Sequence, residues 1–191
     1  GKHHTREWSL AAARAGVADP LDPTARGRHV SVQLRRAGLE DRTGIVDVFL
    51  DCWRQSYRGV LPDRLTDSMT DEAATALWNR ALTAPDRTVV VAVRDGVVVG
   101  VTSYGVNGST GLVQSLYVSP SAQGLGLGRR LLEKAAVDLT KAAATSATLW
   151  VFAANTPSVG FYAACGWLPD GVTRVQEEFG EPEIELHKAL A

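Results

Sequence analysis

Cysteine is scarce: the 191-residue chain has two, Cys52 and Cys165, and no C-x-x-C spacing. That argues against a disulfide framework or a zinc ribbon and fits a reducing compartment. The four histidines, His3, His4, His29 and His187, form no H-E-x-x-H or similar ligand pattern, so no metal is expected. A surplus of one charge is missing too: 20 basic and 21 acidic side chains leave a net charge of -1. A general binder of nucleic acid or anionic membrane would carry a basic footprint, and neither partner is expected. Long apolar runs are also absent, since the stretch from Val89 to Val101 is broken by Arg94 and Asp95. No membrane span is expected, and the first residues lack the apolar core of a secretion signal. The expected location is cytoplasmic.

What is present is an ordinary globular composition, 45% hydrophobic and 21% charged, in a length that suits one domain. Residues 1–29 read as an N-terminal extension and linker. Their Gly-Lys-His-His start has the look of a cloning remnant, Trp8 to Ala15 is Ala-rich and helical in character, and "ADPLDPTARGR" is a Pro-rich connector. The domain runs from 30 to 191.

Within it, "HVSVQLRRA" alternates as a strand, and Ile45, Val48, Phe49 and Cys52 recur at helical spacing in a segment that ends near Gly59. A second helix, "DEAATALWNRALTA", is closed by Pro85. Two β-branched runs flank Asp95-Gly96, a preferred two-residue hairpin turn, and "STGLVQSLYVSP" adds a strand. From Gly128 to Ala144 the chain is helical, with Leu131, Leu132, Ala135, Ala136 and Leu139 on one face. The strand "ATLWVFAAN", the short helix "PSVGFYAACGW" and two antiparallel strands around Gly180-Glu181 complete the order β-α-α-β-β-β-α-β-α-β-β. That order predicts an α/β (α+β) domain with a mixed sheet and helices on both faces.

The local feature that points to chemistry is "SLYVSPSAQGLGLGRRLLEKA", three glycines in five residues directly before an amphipathic helix. A helix N-terminus has unsatisfied N–H groups and partial positive charge, and glycines let those amides curl around a phosphate. A P-loop is excluded because no Lys-Ser or Lys-Thr follows Gly128. The dinucleotide fingerprint G-x-G-x-x-G fails because Arg129 stands at its last glycine.

Gln123-Gly124-Leu125-Gly126-Leu127-Gly128, after "LYVSP", resembles the central motif of the GNAT superfamily of acyl-CoA-dependent N-acyltransferases. "LWVFAANTPSVGFYAACGW" resembles the next GNAT motif through Asn155, Tyr162, Gly166 and Trp167, with Trp for Phe and Ser158 for Ala as departures. The resemblance implies a mostly antiparallel twisted sheet that holds acyl-CoA between two splayed parallel strands, here Leu112–Val118 and Ala147–Ala153. By the same resemblance, the donor is acetyl-CoA or another acyl-CoA. Its pyrophosphate meets the amides of Gln123, Gly124, Gly126, Leu127, Gly128 and Arg129. Its pantetheine arm pairs near Leu116, Tyr117 and Val118, and Asn155 bonds the arm or caps its own helix.

Tyr162 is the matching acid for the leaving thiolate, a phenol being protonated at neutral pH. Arg129, Arg130 and Lys134 are candidates for the 3′-phosphate, Lys134 reading better as a solvated helix residue. Gln114 stands near where many relatives carry a Glu and cannot act as a base; Glu177 and Glu178 are carboxylates elsewhere. Trp53 and Tyr57 are candidates for lining the acceptor mouth, with core packing the better account of Trp53. The implied acceptor is a small-molecule or a peptide or protein amine, and homodimers are common in such families. The competing reading is a non-catalytic acyl-CoA-binding sensor or regulatory module.

Overall fold

β-branched residues around one tight turn build the middle of the sheet. The structure, a computed structural model, describes residues 10–11 and 31–190. In chain order its elements are β1 (Leu10–Ala11), β2 (Val32–Arg36), α1 (Arg42–Asp51), α2 (Asp63–Thr66), α3 (Asp71–Thr83), β3 (Thr88–Arg94) and β4 (Val97–Asn107). They continue as β5 (Thr110–Val118), α4 (Leu127–Lys141), β6 (Ser146–Phe152), α5 (Thr156–Ala164), β7 (Leu168–Val175) and β8 (Pro182–Ala189). Asp95 (φ 51°) and Gly96 (φ 76°) both take left-handed backbone, as the two-residue hairpin joining β3 to β4 requires.

The sheet order is β2-β3-β4-β5-β6-β8-β7, with β1 off this path on β5. Every neighbouring pair is antiparallel except β5–β6 and β1–β5, so the expected mixed, mostly antiparallel sheet is what the chain forms. Helices cover both faces. On one, Ile45, Phe49 and Trp53 from the α1 region join Trp78 of α3 in a single apolar cluster. On the other, α4 buries Leu127, Leu131, Leu132, Ala135 and Leu139, with Ala136 half-buried at the margin. Each of those leucines contributes about 1.5–3 kcal/mol on burial. The apolar face therefore holds α4 in place, and the glycines before it need not.

Three expectations are corrected. The helix that begins at Arg42 does not run unbroken towards Gly59. It widens into a π turn over Cys52–Ser56, with the Tyr57 N–H donating to the Cys52 carbonyl at 3.1 Å. The penultimate strand begins at Leu168, directly after Trp167 and ahead of the tail "TRVQEEFGEPEIELHKAL" in which both closing strands are expected. The helical character read into Trp8–Ala15 fails at Leu10–Ala11, which is extended and paired with β5, because tertiary pairing outweighs the helix preference of alanine. The rest of that stretch lies outside the described residues.

Candidate active site

The site begins where two parallel strands part. β5 and β6 are in register only from Thr110↔Ser146 to Val113↔Leu149. Beyond Leu149, β6 follows β8 as far as Phe152, while β5 stays with β4 up to Val118. An irregularity helps to turn β5. Ser103 faces Ser115 and Tyr104 faces Val113, which leaves Gln114 as the extra, bulged residue. The Gln114 side-chain oxygen is buried with no hydrogen-bond partner. Around the bulge the two strands are pinned by the Thr102 hydroxyl to the Ser115 carbonyl (2.8 Å) and by the Ser103–Ser115 hydroxyl pair (2.6 Å).

The glycine turn follows β5. Gly124 (φ 83°) and Gly126 (φ 75°) are left-handed, and a Cβ on either would meet nothing within 4 Å. Backbone conformation, not crowding, demands glycine there. Gly126 is the N-cap of α4, no side chain caps that helix, and its first bond runs from the Arg130 N–H to the Gly126 carbonyl (3.1 Å). The amides of Leu127, Gly128 and Arg129 precede that bond, so the first turn presents donors and partial positive charge. The Gln123 amide ties the loop down, donating to the Ser56 hydroxyl (3.2 Å) and the Val118 carbonyl (3.3 Å). Cys52 donates to the same carbonyl at 3.2 Å, and burial pushes its thiol up to about 12.

The cations near the turn are unequal. Arg130 donates to the Val32 carbonyl (3.3 Å) and Lys134 pairs with Asp138 (3.1 Å), both local uses. Arg129 instead lines a groove of about 360 Å³ between α4 and α5, with Cys165, Trp167 and Lys188.

Tyr162, on α5, is fully buried and packs against Phe161 at 5.3 Å between ring centroids. Across the sheet, burial raises the phenols of Tyr57 and Tyr117 well above their usual range, and both also feel Cys52 and Tyr162. Three phenols and a thiol from α5, β5 and the π turn thus converge close to the parted strands. Asn155 is 3% exposed, and its side chain accepts from the Ser158 N–H (3.3 Å), the geometry of a helix N-cap.

Trp53 and Tyr57 do not line an open mouth. They are 0% and 2% exposed, stacked edge to face at 5.4 Å, and Trp53 also meets Phe179 at 6.3 Å. The Trp53 indole N–H and the Tyr57 hydroxyl are buried beside the Tyr117 phenol. Glu177 and Glu178 are exposed between β7 and β8.

A carboxylate that sequence reasoning missed lies on β8. Glu183 is fully buried, held by Arg174 (3.3 Å to each oxygen) and by the Gln176 amide (2.7 Å), while Arg174 also stacks 4.1 Å over Trp150. Two residues on, burial and the neighbouring Asp170 carboxyl push Glu185 up to about 7. The period-two spacing of Glu183, Glu185 and His187 in "EIELH" was the available signal.

Residues 45–167 match the model of the acetyltransferase (GNAT) family, so the chain belongs to that family and is an acetyltransferase. It is 33% identical, over 140 residues, to the uncharacterized N-acetyltransferase YuaI of Bacillus subtilis (strain 168), covering 70% of this chain and 78% of that relative. Its fold is similar to the PaiA N-acetyltransferase from Thermoplasma acidophilum, solved in complex with coenzyme A (TM-score 0.67, 18% identity, 83% of this chain and 99% of that one). It is also similar to YncA from Salmonella typhimurium, solved with its cofactor acetyl-CoA (TM-score 0.62, 22% identity, 84% and 95%). Among the described residues no helix is long and apolar enough to cross a membrane.

Proposed function

We propose that the chain transfers an acetyl group from acetyl-CoA to a primary amine, by direct attack of the amine while both substrates are bound. The observation that carries this reading is the left-handed glycine turn opening an uncapped α4 directly after the strand that parts from its neighbour. Open space at Gly124 and Gly126 and the donor amides of the first turn fit a pyrophosphate. The amides of Gln123, Gly124, Gly126, Leu127, Gly128 and Arg129 hold it. The backbone of Leu116, Tyr117 and Val118 pairs with the pantetheine arm. Asn155 contributes by capping α5, which carries Tyr162, and so fixes where that phenol stands.

Acetyl-CoA supplies the thioester. The amine nitrogen bonds to its carbonyl carbon, the carbon–sulfur bond breaks, and the sulfur leaves as a thiolate. A backbone N–H of the Leu116–Val118 segment stabilises the oxyanion as it forms. Tyr162 delivers its phenol proton to the departing sulfur, and the proton lost by the amine restores the balance. Gln114 cannot take that proton, so it leaves through water or to a carboxylate. Trp53 and Tyr57 support the acceptor side as packed walls. Small-molecule amines and peptide or protein amines are both candidate acceptors.

The test is release of free thiol from acetyl-CoA across a panel of amines, peptides and aminoglycosides, with Tyr162→Phe run beside the parent chain. Release with one amine class, lowered about 10²-fold or more in the variant with acetyl-CoA affinity retained, is expected. Undiminished turnover in Tyr162→Phe removes the phenol from the mechanism. Silence across the panel by a protein that binds acetyl-CoA turns the reading towards a sensor.

A further inference from the structure

The edge of β5 past Val113 is an unusual surface. It has lost β6 as a partner, yet Leu116 is 0% exposed and Val118 4%, so its backbone lies deep in the molecule. Buried N–H and C=O groups require hydrogen-bond partners, and a bare strand edge readily takes up an extended chain. In this structure the edge has an occupant. Leu10–Ala11 runs parallel to β5 with Leu10 opposite Ser115 and Ala11 opposite Leu116, and it also neighbours β6. This is the one place where the N-terminal extension joins the sheet among the described residues, and the pairing has the direction that β6 abandoned.

From this pairing we infer that the N-terminal extension competes with the acyl donor for a single strand edge. The inference rests on the reading of the gap as the acetyl-CoA site. The pantetheine arm is extended and carries two amides, so it satisfies a strand edge with the same kind of bonds that a peptide makes. One edge pairs with one extended chain at a time. While Leu10–Ala11 is seated, the Ser115–Leu116 groups are taken, and donor binding requires the segment to leave. Leu10–Ala11 therefore closes the gap in the free enzyme and lowers apparent donor affinity by the fraction of time it is seated. A segment seated nine-tenths of the time weakens binding about 10-fold.

The experiment uses the full chain and its Leu10→Pro/Ala11→Pro double variant, because proline removes the N–H that strand pairing uses. Hydrogen exchange over residues 115–118 is measured without ligand, and coenzyme A affinity is measured by calorimetry, with melting temperature as the check on folding. Faster exchange at residues 115–118 in the variant is expected, together with coenzyme A binding about 10-fold tighter. Unchanged exchange shows that the segment is not seated in the gap and overturns the inference. Faster exchange with equal affinity overturns the competition, and weaker affinity in the variant makes the segment a clamp on the donor, which also overturns it. If neither protein binds coenzyme A, the reading of the gap as a donor site fails and the competition falls with it, whatever the exchange shows.

Discussion

The two sides of the site are made in different ways. The proposed donor side is backbone: the turn at Gly124 and Gly126, the first amides of α4 and the edge of β5, all within the contiguous stretch from Ser115 to Arg129. The opposite side is side chain. Trp53 from the π turn, Trp78 from α3, Tyr117 from β5, Phe152 from β6 and Phe179 beyond β7 meet in one cluster although they span more than a hundred residues of chain. A backbone site depends on dihedral angles and tolerates changes nearby. A side-chain site depends on volume and on every element that delivers a ring.

That contrast can be broken at either end. Trp53→Ala removes the centre of the aromatic side and should cost about 3–5 kcal/mol in urea unfolding. A loss below about 1 kcal/mol would mean that the cluster repacks and is no rigid wall. Next in size, Gly126→Val places a β-branched residue at φ 75°. The free turn relaxes away from that strained shape, and restoring it for the donor costs about 1–2 kcal/mol, so acetyl-CoA binding should weaken roughly 10-fold, with the unfolding midpoint shifting less than for Trp53→Ala. Donor affinity unchanged in a folded Gly126→Val protein would take the pyrophosphate away from the turn.

Two smaller effects sharpen the picture. Asn155→Ala should lose about 1 kcal/mol of stability, the worth of a helix cap, while leaving acetyl-CoA affinity within a factor of two. A large loss of affinity with stability intact would make Asn155 a direct ligand of the donor. Smallest is the pH effect of Glu185, whose carboxyl is raised from 4.5 to about 7 in the folded chain. Between those values the folded state holds more protons than the unfolded one, so stability falls as pH rises from 4.5 towards 7. Glu185→Gln should flatten that part of the stability–pH curve by under about 1 kcal/mol, solvent screening included. An unaltered slope would show that another group sets it.

Element order, the hairpin turn at Asp95-Gly96 and the buried face of α4 were legible because each follows from a local pattern: alternation, a two-residue turn, a period near 3.6. The glycine turn was legible for the same reason. What was not legible depends on partners far away in sequence. Nothing in "CWRQS" announces a π turn, which arises where Trp53 and Tyr57 both turn into the core. The burial of Glu183 depends on Arg174 and Gln176 across a hairpin, although its spacing on β8 was visible. The strand at Leu10–Ala11 runs against its own composition, because an unfilled edge elsewhere decides its conformation.

The two thiols also differ, with a practical result. Cys52 is sealed in the core with its proton held, whereas Cys165 borders a groove beside Arg129 and Lys188. Burial raises the Cys165 thiol too, but it is only half-buried, so a maleimide should reach Cys165 before Cys52, which reacts only as the chain unfolds. Any colorimetric reading of liberated coenzyme A should carry a background of up to one equivalent per intact molecule, from Cys165. A second equivalent marks the enzyme that has come apart during the assay.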